Sequence, residues 1–145
     1  MATDFVIELP NDLRAIERAV NYLIDRGLEI GFSQERLRLN FRVGITEALA
    51  NAMLYGNGRD PDKKVRIEAN LTSGKFTVRI TDEGRGFNPA MISDPTLPRN
   101  RLRVGGRGIF LIRKLMDKVE FNDRGNSITM VLYNEARNQS RESAS

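Results

Sequence analysis

The chain has 145 residues, 40% of them hydrophobic and 29% charged, with a formal net charge of +4, the profile of one soluble globular domain with enough material for its own core. Cysteine and histidine are both absent, which removes disulfides, thiol nucleophiles, Ser-His triads, His- or Cys-based zinc sites and phosphorylation of a histidine of its own. Any proton transfer then falls to Asp, Glu, Lys or Tyr. The opening "MATDFVIELP" carries no basic segment followed by an apolar run, and no stretch approaches the ~18 apolar residues of a membrane span. We expect a cytoplasmic protein that neither enters a membrane nor, with few aromatics among its basic residues, binds nucleic acid directly.

Residues 4–9, "DFVIEL", read as a short strand closed by Pro10. Asn11 is the candidate N-cap of a helix over about 12–28 striped by Leu13, Ile16, Val20, Leu23 and Ile24, with Gly27 and Gly31 punctuating its end. Ser33 opens a second helix over about 34–55, striped by Leu37, Phe41, Ile45, Ala48 and Ala52. After the loop "GNGRDPDK" come two alternating strands, with Val65, Ile67 and Ala69 on one face of the first and Phe76, Val78 and Ile80 on one face of the second. The intervening "LTSGK" predicts a hairpin. Residues 82–106 are poor in periodicity and rich in Pro and Gly, the signature of a functional or mobile loop. A helix returns over about 107–117, followed by a final hairpin, "KVEFN" and "SITMVLY" around "DRGN". The tail, residues 134–145, is polar and expected to be disordered, leaving 1–133 as a single domain. The order βααββαββ predicts an α+β two-layer sandwich, its sheet mixed but mostly antiparallel, with helices packed on one face.

Three stretches break the pattern. Taking Leu37 as zero at 100° per residue, the core stripe of the second helix spans about 20–80°, while Glu47, Asn51 and Gly44 fall near 280°, 320° and 340°. A carboxylate and a carboxamide thus flank the core on one face; taken alone the pair reads first as a half-exposed polar edge, and second as oxygen ligands for a hard cation such as Mg²⁺. Gly44 costs the helix about 1 kcal/mol against alanine and leaves room for a close neighbour. In "ITDEGRGF", Asp82 ends a strand just before Gly84 and Gly86, a carboxylate placed to accept from an amino group such as adenine's. In "RLRVGGRGIFLIRKLMD", Gly105, Gly106 and Gly108 lead into an amphipathic helix, where backbone N–H groups and the helix dipole favour phosphate. Arg101, Arg103 and Arg107 supply charge for a polyphosphate. The segment matches neither a Walker loop nor a dinucleotide fingerprint.

The succession E-x-x-x-N, D-x-G-x-G and G-G-x-G resembles the Bergerat-fold ATP-binding family of histidine-kinase catalytic domains, type II topoisomerases, Hsp90 and MutL. "EALANAMLYGNG", "DEGRGFNPAM" and "GGRGIFLIRKLMDKVEF" are most similar to its single-domain branch, the anti-sigma-factor serine/threonine kinases, over roughly residues 5–133. The resemblance implies ATP and Mg²⁺ as cofactors. It implies Asn51 on the metal, Glu47 as general base or as the group that orients the attacking hydroxyl, Asp82 on the adenine amine with Gly84 and Gly86 beside the purine, and Gly105, Gly106 and Gly108 around the phosphates. Residues 88–104 would form the lid, and Thr129 would add a hydroxyl to the base. It further implies phosphorylation of a small anti-sigma-factor antagonist, sequestration of a sigma factor, and the option of a homodimer through the first helix and the edge "DFVIEL". Tyr55 departs from the pattern, since many branch members carry His there. Two alternatives stay open: a nucleotide-gated binding module without useful catalysis, and an ATP-binding domain acting on a separate histidine-bearing partner.

Overall fold

The computed structural model describes residues 3–84 and 106–134, with only the backbone of 106 and 107. Gly86, Arg101, Arg103 and Gly105, the segment 88–104 and the tail 135–145 lie outside the described residues, as does the side chain of Arg107.

Strand β1 (Thr3–Pro10) leads into helix α1 (Arg14–Glu29). A nearly continuous helical rod follows: α2 (Gln34–Arg36), a wide π turn (Leu37–Phe41), α3 (Arg42–Asn51) and a second π turn (Ala52–Gly56). Strands β2 (Lys64–Leu71) and β3 (Lys75–Thr81) form the first hairpin. Helix α4 (Gly106–Leu115) then precedes the second hairpin, β4 (Lys118–Phe121) and β5 (Ser127–Tyr133). The sheet order is β1-β2-β3-β5-β4. The sheet was expected to be mixed but mostly antiparallel, and among the described residues every pairing is antiparallel.

The period-two alternation builds one dry face. Ile67 pairs with Ile80, Ala69 with Val78 and Leu71 with Phe76, and β5 continues the layer with Ile128 beside Ile80 and Met130 beside Val78. The helices cover this face. Phe41 stacks on Phe76 with ring centroids 4.5 Å apart, and Phe32 meets the same ring edge-on at 6.1 Å. Burial of these rings with Leu23, Leu37, Ile45 and Leu49 supplies the main driving force for folding. Among the described residues the opposite face carries no helix and is polar, as an antiparallel sheet allows.

Several local expectations change. Asn11 does not cap α1; Asp12 accepts from the Arg14 N–H instead (2.9 Å), and Leu13 is exposed rather than part of the core stripe. Ser33 does cap its helix, accepting from the Arg36 N–H at 3.3 Å. Gly27 lies within α1, pressed against Leu37, and it is Gly31, at φ +82°, that turns the chain out. Such a φ suits glycine because it has no Cβ to clash. Asn134 is a buried anchor and not tail: its Oδ1 accepts from the Ser33 N–H (3.2 Å) and its Nδ2 donates to the Ser73 carbonyl (2.9 Å). No helix among the described residues is long and apolar enough to cross a membrane.

Candidate nucleotide-binding site

Helix α3 packs against α4, and this contact places the first pair of candidate residues. A Cβ on Gly108 would lie 2.8 Å from Asn51 Nδ2 and 3.1 Å from Glu47 Oε2. Only glycine lets the start of α4 come this close to both polar side chains. The carboxylate, the carboxamide and the first turn of α4 therefore share one small volume. Asn51 Nδ2 is shut off from solvent and has no hydrogen-bond partner. A buried polar atom left unpaired costs about 1–3 kcal/mol, so its retention points to a ligand that completes it. Gly44 has a different use: a Cβ there would sit 3.1 Å from Met116 Sδ, so the room it makes is filled by a core side chain.

The wide turn Ala52–Gly56 carries the chain from this pair to Asp82. Its last bond runs from the Asn57 N–H to the Ala52 carbonyl (2.7 Å), one residue wider than an α turn. Gly56 thereby meets the end of β3, where a Cβ on it would collide with the Asp82 carboxylate. A Cβ on Gly84 would in turn collide with the Gly56 carbonyl. Asp82 Oδ1 accepts from the Gly84 N–H at 2.8 Å. Burial pushes the Asp82 carboxyl above the usual carboxylate range, while the Gly84 N–H and the charges of Lys63 and Arg124 pull it down by less. A partly buried carboxylate with a perturbed pKa, clasped between two glycines, is a candidate binding group.

Asparagines the sequence reading passed over hold Asp82 in place. Its N–H donates to the Asn126 carbonyl (2.9 Å), and its own carbonyl accepts from Asn126 Nδ2 (3.2 Å). Asn122 Oδ1 accepts from the N–H groups of Gly125, Asn126 and Ser127, which shapes that hairpin turn. Arg124 Nη2 donates to the Gly84 carbonyl at 3.3 Å. Asn57, almost fully buried, accepts from the Glu83 N–H at 2.7 Å. The only sequence signal for these residues was their place in turn-like stretches, "GNG" and "NDRGN", which reads as exposed loop.

The structure therefore gathers Glu47, Asn51, Gly108, Asp82 and Gly84 along the seam between α3, α4 and the end of β3. It does not bring Thr129 there. Thr129 pairs with Arg79, and period two puts both on the polar face away from the helices, beside Thr77 and Asn70. The hydroxyl expected on the purine is thus separated from Asp82 by the sheet itself.

The profile of the histidine kinase-like ATPase domain matches residues 9–132, a span that includes Glu47, Asn51, Asp82 and Gly108. The serine-protein kinase RsbW of Oceanobacillus iheyensis is 31% identical over 111 residues, covering 72% of this chain and 70% of that protein. RsbW of Listeria innocua is 29% identical over 110 residues, covering 71% and 69%. An anti-sigma F factor of Clostridium beijerinckii is 28% identical over 99 residues, covering 63% and 66%. Among solved structures, that of the RsbU and RsbW domains of Rv1364c from Mycobacterium tuberculosis superposes with a TM-score of 0.58 at 17% identity. It covers 91% of this chain and 32% of the other, and so speaks to the fold. With the profile spanning nearly all of the sheet and helices, this chain belongs to the histidine kinase-like ATPase domain family.

Proposed function

We propose that the protein is an ATP-dependent serine kinase of the anti-sigma type, working in the cytoplasm. It phosphorylates a small antagonist protein and controls a sigma factor by exchanging partners. The observation that carries this reading is the pairing of Glu47 and Asn51 against Gly108 at one end of the seam with the clasped Asp82 at the other.

Asp82 accepts from the exocyclic amine of adenine; Gly84, closed against the Gly56 carbonyl, holds that carboxylate in place, and the role of giving the ring room falls to Gly86. Gly105, Gly106 and Gly108 offer backbone N–H groups to the phosphates, and Arg101, Arg103 and Arg107 add positive charge. Asn51 would offer its carboxamide oxygen to Mg²⁺, a hard ligand for an ion that takes few protein groups beside substrate phosphates, while its buried and unpartnered nitrogen would donate to a phosphate oxygen. Bound there, the ion neutralises phosphate charge. Glu47 accepts the proton of the partner's serine as its oxygen bonds to the γ-phosphorus and the bond to the β–γ bridging oxygen breaks, releasing ADP. Positioning and charge neutralisation carry most of the acceleration in such a transfer.

The test is Glu47→Gln. ATP affinity should stay within about twofold of wild type while phosphate appearing on the partner's serine falls by roughly 10²–10⁴-fold, the range for losing a general base. Undiminished transfer rules Glu47 out as the base. A wild type that binds ATP but never transfers it leaves a nucleotide-gated binding module.

A further inference from the structure

We propose that Asn57 is a positioning residue for Asp82, and that it sets how strongly the site prefers adenine over a purine lacking the exocyclic amine. The inference rests on the nucleotide site proposed above.

Asn57 is 1% exposed, and its carboxamide joins three segments of chain. Oδ1 accepts from the Glu83 N–H at 2.7 Å, while Nδ2 donates to the Lys64 carbonyl at 3.0 Å and to Asn11 Oδ1 at 3.2 Å. One backbone donor and one backbone acceptor flank the amide, so its orientation is forced. Its own N–H closes the wide turn onto Ala52. Asn126 ties Asp82 to the sheet, but Asn57 ties the residue after Asp82 to the end of the helix that carries Glu47 and Asn51. It therefore registers the purine end of the site against its metal and phosphate end. Without it the Glu83 peptide loses its partner, and the Asp82 carboxylate is free to shift against Gly56.

Adenine presents a donor to Asp82, whereas hypoxanthine presents a carbonyl oxygen at the same position. A site built to accept from a substrate N–H rejects an analogue that lacks it, and the rejection depends on placement of the acceptor. Asn11 supplies the control. It shares the network, donating to the Met53 and Asp60 carbonyls (3.2 and 2.9 Å), and its side chain bonds neither to Asp82 nor to Glu83.

The experiment is calorimetric titration of ATP and of ITP, each with Mg²⁺, into wild type, Asn57→Ala and Asn11→Ala. Wild type should prefer ATP by roughly 10²-fold or more. Asn57→Ala should lose about tenfold of that preference, and Asn11→Ala should be destabilised yet keep it. If Asn57→Ala does not fold, Asn57→Ser carries the same test, because its hydroxyl is too short to reach the Glu83 N–H. A discriminating wild type with an equally discriminating Asn57 variant overturns the part given to Asn57 alone. A wild type that binds ATP and ITP equally contradicts the adenine role of Asp82, and this inference with it.

Discussion

Asn51 and Asn57 bracket the same wide turn and meet opposite fates. The Asn51 carboxamide nitrogen is buried and unpartnered beside Glu47 and Gly108. At Asn57 both the carboxamide oxygen and the nitrogen are bonded within the protein. The contrast separates two uses of one residue type. A saturated amide stiffens the frame, whereas an unsaturated one is a cost the fold tolerates at a place where a ligand completes it. The stretch "NAMLYGN" thus holds an unpartnered amide nitrogen at its start and a scaffold-facing group at its end, and Gly56 lets Asp82 settle against the turn between them.

The strongest way to break this contrast is to fill the ligand side. Gly108→Ala places a methyl group against Asn51 and Glu47. Phosphoryl transfer should fall by about 10²-fold, the expected penalty for misplacing reacting groups by about 1 Å. The melting temperature should stay near that of wild type, because alanine favours the helix. Retained transfer would mean the closeness of α4 to the pair has no functional weight. Gly84→Ala attacks the clasp instead. Its Cβ meets backbone at Gly56, which cannot move aside as a side chain can, so a loss of about 1–3 kcal/mol in chemical denaturation is expected.

A smaller effect separates binding from stability at Asp82. Because its pKa is raised in the folded state, mainly by burial, the folded protein holds this proton to higher pH than the unfolded chain does. Stability at this site is therefore full below the unfolded value and declines as pH rises through the folded one. Asp82→Asn should match wild type in melting temperature at the acidic end and exceed it above the folded pKa, while losing adenine affinity. An unchanged pH profile would remove the desolvation account. The smallest change is Gly44→Ala, which trades about 1 kcal/mol of helix propensity against displacement of the flexible Met116. Stability within about 1 kcal/mol and unaltered ATP binding are expected. A large loss of nucleotide affinity would mean that Gly44 belongs to the site after all.

The sheet was legible because its signal is periodic. Val65, Ile67 and Ala69, then Phe76, Val78 and Ile80, alternate without interruption and land on one face as read. The pair Glu47 and Asn51 was legible for the same reason, since their angular offset from the core stripe survives the first π turn. Thr129 was misplaced although the same alternation was available: Ile128, Met130 and Leu132 point to the helices, so Thr129 points away. The cap assigned to Asn11 failed because local capping chemistry competed with long-range bonds to Met53 and Asp60, which a sequence window does not contain. Asn57 and Asn126 escaped notice for a related reason. Turn asparagines look alike until tertiary structure decides which are buried.

The central claim is that one seam binds ATP through Asp82 at one end and Asn51 at the other. Titration of ATP, with and without Mg²⁺, into wild type, Asp82→Ala and Asn51→Ala tests it most directly. The account predicts that wild type binds, that Asp82→Ala loses binding by roughly 10²-fold or more, and that Asn51→Ala binds ATP equally with and without the ion. A wild type that binds no nucleotide under either condition, or an Asp82→Ala that binds as wild type does, would contradict it.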